Sequence, residues 1–158
     1  MTIKPWILAM VGGLVAATLD IVYACVFWAI EADVSPSRIL QSVAAGLLGE
    51  SSFRGGSGTA ALGLLLHYLI AFVMALAYYT AARRWTLLRT HWLRAGAVYG
   101  LLLYIVMQYA VVPLSRAGAG SQDTLWVTLS IAVHVLLVGI PIAFFGGRIV
   151  ARPWPANA

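Results

Sequence analysis

Five polar side chains stand inside otherwise apolar stretches of this sequence: Asp20, His67, Tyr104, Gln108 and His134. An aspartate can carry a proton or balance a cation. An imidazole changes charge near neutral pH and, when neutral, ligates metals. Amides and phenols donate and accept hydrogen bonds. Ionisable groups inside a membrane span are expensive and are functional candidates by default. Three chemistries are open to the set. It can form interhelical hydrogen bonds that only fix packing. It can handle protons or a small cation, with Asp20 as the charged group and His67 and His134 as relays. Or His67 and His134 can ligate a b-type haem or a metal ion. The sequence has no serine-histidine-acid spacing, metalloprotease helix motif, paired-cysteine motif or glycine-rich nucleotide fingerprint, so an enzyme is the less favoured class.

The elements that must position these residues follow from composition. Of 158 residues, 62% are hydrophobic and 9% charged, with a mean hydropathy of +0.92. A soluble domain carries about 25% charged residues, so lipid must solvate part of this surface. Four apolar segments approach or exceed the roughly 20 residues that cross a bilayer core as helix. They run from about Pro5 to Ile30, Thr59 to Ala82, Ala95 to Val112 (ending at Pro113) and Thr124 to Ile149. The first is far longer than the roughly 7–15 residues of a signal-peptide core, which makes it an uncleaved span. Trp6, Trp28, Trp85, Trp92, Trp126 and Trp154 mark span ends, where aromatic rings favour the headgroup zone. The expected fold is therefore an all-α integral membrane bundle of four transmembrane helices, a single domain over 1–158.

Charge sets the orientation. Arg83, Arg84, Arg89 and Arg94 lie between spans two and three, Lys4 at the start, and Arg148 and Arg152 at the end. Glu31, Asp33 and Glu50 offset Arg38 and Arg54 after span one, and Arg116 and Asp123 follow span three. The positive-inside rule then puts both termini in the cytoplasm of a bacterial inner membrane, with Glu31 and Arg38 at the outer surface. The net charge of +5 is a topology signal of this kind, and no nucleic-acid motif accompanies it. Cys25, the single cysteine, excludes an intrachain disulfide and reads as a packing residue.

Ser35-Pro36 is a helix-start signal. Ile39, Leu40, Val43, Ala44, Leu47 and Leu48 recur after it with helical period, opposite Gln41, Ser42 and Gly49. The expected element is a short amphipathic helix, about 36–48, in the outer interface; a partner-binding helix is the alternative. Gly55-Gly56-Ser57-Gly58 reads as a hinge into span two.

At 1.5 Å per residue, Asp20 lies roughly 15 Å below the outer surface, His67 about 12 Å, His134 about 15 Å and Gln108 about 8 Å, with Tyr104 one turn further in. Gly12, Ala16, Asp20 and Ala24 share one helix face, Gly63, His67, Ala71 and Ala75 another, and Gly96, Gly100, Tyr104 and Gln108 a third. Small residues at this spacing let membrane helices approach, so the polar groups should face one another. Pro141 frees the carbonyl of Leu137 near His134, either as a packing kink or as an extra oxygen ligand. His91 belongs to the basic loop and reads as solvated. The runs His67 to Arg83 and His134 to Arg148 form a weak internal repeat, suggesting two hairpins related by a pseudo-two-fold along the membrane normal.

Trp28, Glu31, Pro36 and Arg38, then His67, Ala75 and Tyr78, then Pro113-Leu114, and finally Trp126, Ser130 and His134 carry a resemblance to the YagU-like group of small bacterial inner-membrane proteins. The resemblance implies a four-helix inner-membrane protein and no established reaction. Gln108 stands where that group has a histidine, which weakens a carried-over metal or haem site. The partners expected are the lipid bilayer, a second copy or another membrane protein, and no nucleic acid. Reporter fusions after Arg84 and at the C-terminus should report cytoplasm, and one near Ser57 the outer side. A periplasmic signal from the Arg84 fusion would contradict every charge cluster at once.

Overall fold

The computed structural model describes residues 4–118 and 120–148; Ile149, Arg152 and Trp154 lie outside them. All regular structure among the described residues is helical. Helix α1 is Pro5–Ala32, α2 is Pro36–Leu48, α3 is Gly56–Arg84 and the short α4 is Leu87–Thr90. Helices α5 and α6 are Trp92–Leu114 and Thr124–Gly147. Four of these, α1, α3, α5 and α6, are long and apolar enough to cross a membrane. Backbone groups in hydrocarbon must be satisfied within their own segment, which long helices accomplish.

The spanning helices pack through small residues. A Cβ at Gly12 would lie 2.9 Å from the Phe145 Cβ, and one at Gly13 3.0 Å from the Ala75 Cβ, so α1 sits close against both α6 and α3. Helices α5 and α6 touch backbone to backbone: Gly96 and Gly100 face Gly139 and the His134 carbonyl. Ala16, Ala75, Tyr78, Ala82, Leu103, Val138, Ile142 and Ala143 fill the centre. This tight region lies toward the end that carries Arg83, Arg84, Arg89 and Arg94, here called the arginine end. There Tyr99 donates to the Met74 carbonyl at 2.8 Å and Tyr78 to the Leu88 carbonyl at 2.9 Å. Arg89 donates to the Ala82 carbonyl at 3.1 Å, covering an open carbonyl near the end of α3.

Two π-helical turns interrupt the spans, at Met107–Val111 in α5 and His134–Gly139 in α6. Each ends two residues before a proline, Pro113 or Pro141. Proline lacks an N–H, and its ring crowds the carbonyl four residues back; a widened turn relieves both problems. Helix α5 therefore runs through Pro113 to Leu114, where the sequence reading had ended the span.

Helix α2 has the expected limits, with the Ser35 hydroxyl accepting from the Arg38 N–H at 3.4 Å; Ala44 is buried and Ser42 exposed as periodicity suggests, but two positions depart from those faces. Gln41, placed on the polar face, is 6% exposed, whereas Leu47 is 54% exposed. The cause is Gly63: a Cβ there would collide with the Leu40 carbonyl, so α2 lies directly on α3. Gln41 then faces the start of α3 and donates to the Gly56 carbonyl at 3.0 Å. The hinge is also shorter than read, because α3 begins at Gly56, which turns the chain with φ +56°, and Gly58 is already helical. Gly63→Ala is expected to destabilise the folded protein by about 1–3 kcal/mol through overpacking. Gly58→Ala, with nothing within 4 Å of the added Cβ, should be neutral within about 0.5 kcal/mol. Thermal unfolding in detergent would show the difference; equal melting of the two variants would remove the α2–α3 contact as a determinant.

Candidate functional site

Away from the arginine end, where Tyr78 and Tyr99 bridge α3 and α5, a cavity of about 640 Å³ is lined by both helices. Helices α1 and α6 complete its walls. Helix α2 lies over it through Ile39, Ser42, Val43 and Gly46, beside the loop that follows α5. The loop is fastened to this cover: the Arg116 N–H donates to the Gly46 carbonyl at 3.0 Å.

The five polar residues from four helices all line this cavity: Asp20 from α1, His67 from α3, Tyr104 and Gln108 from α5, and His134 from α6. Of the two outer candidates, Arg38 also lines it, with its guanidinium 4.4 Å from the centroid of the Phe53 ring. Glu31 is exposed and is not part of the lining. His91 is exposed, as read. Cys25 is half-buried and unpaired.

Hydrogen bonding fixes each histidine. His67 Nε2 lies 2.9 Å from the Ala17 carbonyl of α1. A carbonyl only accepts, so Nε2 carries the hydrogen, and the neutral ring keeps its lone pair at Nδ1. His134 Nδ1 lies 2.9 Å from the Ser130 carbonyl one turn back. By the same reasoning its lone pair is at Nε2. The two histidines of the internal repeat are thus used differently, one bridging helices and the other bonded within its own. The Tyr104 and His134 rings meet edge to face, with centroids 5.5 Å apart. Asp20 is half-buried, and no hydrogen bond or ion pair reaches its carboxylate among the described residues. None of the five bonds to another. Of the five, His67 alone fastens one helix to another, through the Ala17 carbonyl; further interhelical bonds join Thr18 with Tyr68 at 2.9 Å and Tyr99 with the Met74 carbonyl.

Three further residues belong to the site. Ser130, 4% exposed, lines the cavity, and its buried hydroxyl faces that of Tyr23 on α1. Trp28 and Trp126 line the rim and pack together, with ring centroids 5.2 Å apart. The four-residue spacing of Trp126, Ser130 and His134 on one helix face was the signal for this wall.

No group of three or more histidine, cysteine, aspartate or glutamate side chains is placed to hold a metal ion among the described residues. The haem alternative fits poorly as well. His67 offers only Nδ1, which adjoins the ring carbon bearing its own Cβ and is crowded against a flat macrocycle. No family model, no curated protein and no solved structure matches this chain. Nitrogen-15 NMR of the histidine rings should therefore show opposite neutral tautomers, Nε2–H for His67 and Nδ1–H for His134. Finding one tautomer at both positions would refute the hydrogen-bond assignment.

Proposed function

We propose that this chain is a small multi-pass protein of a bacterial inner membrane, with a transport-type or membrane-accessory role. In this reading its cavity handles protons or a small cation at Asp20, with His67 and His134 as relays. Both termini face the cytoplasm, and α2 lies at the outer interface. The charge bias around the spans supports that orientation, and the YagU-like resemblance agrees with the location.

The observation that carries the reading is the convergence of Asp20, His67 and His134 on one cavity without bonds among themselves. Magnitudes favour it over packing. An aspartate at the centre of a spanning helix costs about 2.5–3.5 kcal/mol to insert, whereas an interhelical hydrogen bond contributes about 0.6 kcal/mol on average. Asp20 makes no such bond among the described residues, so packing does not offset its cost. Each histidine holds one N–H on a carbonyl and keeps one basic nitrogen, the arrangement a relay needs. The charged or titratable groups lining the cavity are Asp20, Arg38, His67, Tyr104 and His134.

The full chain in vesicles loaded with a pH-sensitive dye tests the reading. Under an imposed proton or cation gradient, Asp20→Asn should reduce flux at least about tenfold, equivalent to about 1.4 kcal/mol, while still inserting normally. His67→Gln and His134→Gln, which hydrogen-bond without titrating near neutrality, should reduce it as well. Undiminished flux in Asp20→Asn would return the polar layer to a packing role.

A further inference from the structure

The size and wall chemistry of the cavity exceed what a proton or a monatomic cation requires. Its volume of about 640 Å³ falls within the roughly 300–1,000 Å³ of sites that enclose small organic molecules. A bare metal cation would instead need several converging oxygens at close range, and no metal-ligating group is assembled among the described residues. The deep wall is apolar, made by Ala16, Ile70, Ala71, Met74 and Val138. Asp20 is the one anionic side chain in the lining. The Arg38 guanidinium is held on the Phe53 ring, away from Asp20 in hydrogen-bonding terms, since no ion pair joins them among the described residues. Besides Asp20, the two imidazole lone pairs can accept from a cation, while the Ser42, Tyr104, Gln108, Ser115 and Ser121 side chains of the lining both donate and accept. Trp28 and Trp126, packed with Tyr23 and Phe27 in an aromatic cluster, put indoles in the lining, a ring type that attracts positive charge.

We infer that the cavity binds an organic cation, an ammonium or delocalised onium charge on an apolar body. Its charge is balanced by Asp20 and its body lies against the Ile70, Met74 and Val138 wall. The inference rests on the reading of Asp20 as the charged group of the site and names the ligand class that group serves. An organic anion of equal size would find Arg38 in the lining, but that guanidinium is engaged with the Phe53 ring, and the anion would bring its charge to the Asp20 carboxylate and to two lone pairs.

Tetraphenylphosphonium and tetraphenylborate share one shape and carry opposite charges, so they separate charge selection from apolar partitioning. The full chain in nanodiscs of zwitterionic lipid would be titrated with each by equilibrium dialysis, with empty nanodiscs as the background. Saturable phosphonium binding at least about tenfold tighter than borate binding is expected. It should weaken at least about tenfold in Asp20→Asn and return in Asp20→Glu. Equal affinity for the two ions, no saturable binding, or phosphonium binding indifferent to Asp20→Asn would overturn the inference. Should Asp20→Asn fail to fold, the comparison of the two ions on the unaltered chain and on Asp20→Glu still decides. Proton release by the same samples after a pH jump keeps the two readings apart. Release that depends on Asp20 without phosphonium binding removes the organic cation and leaves the proton site. Release that ignores Asp20 removes the proton site as well.

Discussion

How closely two helix backbones can approach governs this structure. Lipid supplies no hydrophobic drive between spans, so association depends on van der Waals contact, which small residues permit. Gly12, Gly13, Gly96, Gly100 and Gly139 bring α1, α3, α5 and α6 together over the half toward the arginines. Beyond that half the bulkier His67, Tyr104 and Gln108 continue the same helix faces, and the small residues of α3 there, Ala60 and Gly63, are turned to other packing, Gly63 to α2. The cavity is the geometric remainder of a bundle zipped along part of its length. Its polar lining follows from the same faces, since residues four apart on a helix point the same way.

The prolines act within this frame. A proline inside a spanning helix removes one backbone donor and crowds the preceding turn. Both Pro113 and Pro141 are preceded by π turns, and these turns begin at Met107 and His134. The widened turns therefore fall on the cavity wall, where Gln108 and His134 sit. Irregular backbone at membrane depth is tolerated where it is buried in protein or lines a cavity, and these turns meet that condition.

Much of this was legible in the residues. Apolar length placed the four spans, and the local chemistry of Ser35 and Pro36 located the start of α2. The small-residue stripes identified the inward faces, and the rarity of charge in the spans singled out Asp20, His67 and His134. What stayed hidden depended on contacts distant in the chain. Periodicity alone could not show which face of α2 docks, because Gly63, more than twenty residues beyond Leu40, decides it. Gln41 was misplaced for that reason. Pro113 looked like a terminus because a π turn has no sequence signature separate from the proline it accommodates. Ser130 was passed over as a site residue because a serine in a helix is unremarkable until the fold sets it opposite Tyr23 of another helix.

The cover over the cavity has a place in the order of synthesis. Helix α2 docks on α3 through Leu40, Gln41, Thr59 and Gly63, all within one short stretch of chain, so that pair can assemble as soon as α3 emerges. Its other attachment, Arg116 to Gly46, joins residues seventy apart and must wait for α5. Short-range contacts form faster than long-range ones. The roof of this chamber is thus tied locally to one wall and distantly to the other, and the position of α2 on α3 sets the height at which the loop after α5 must meet it.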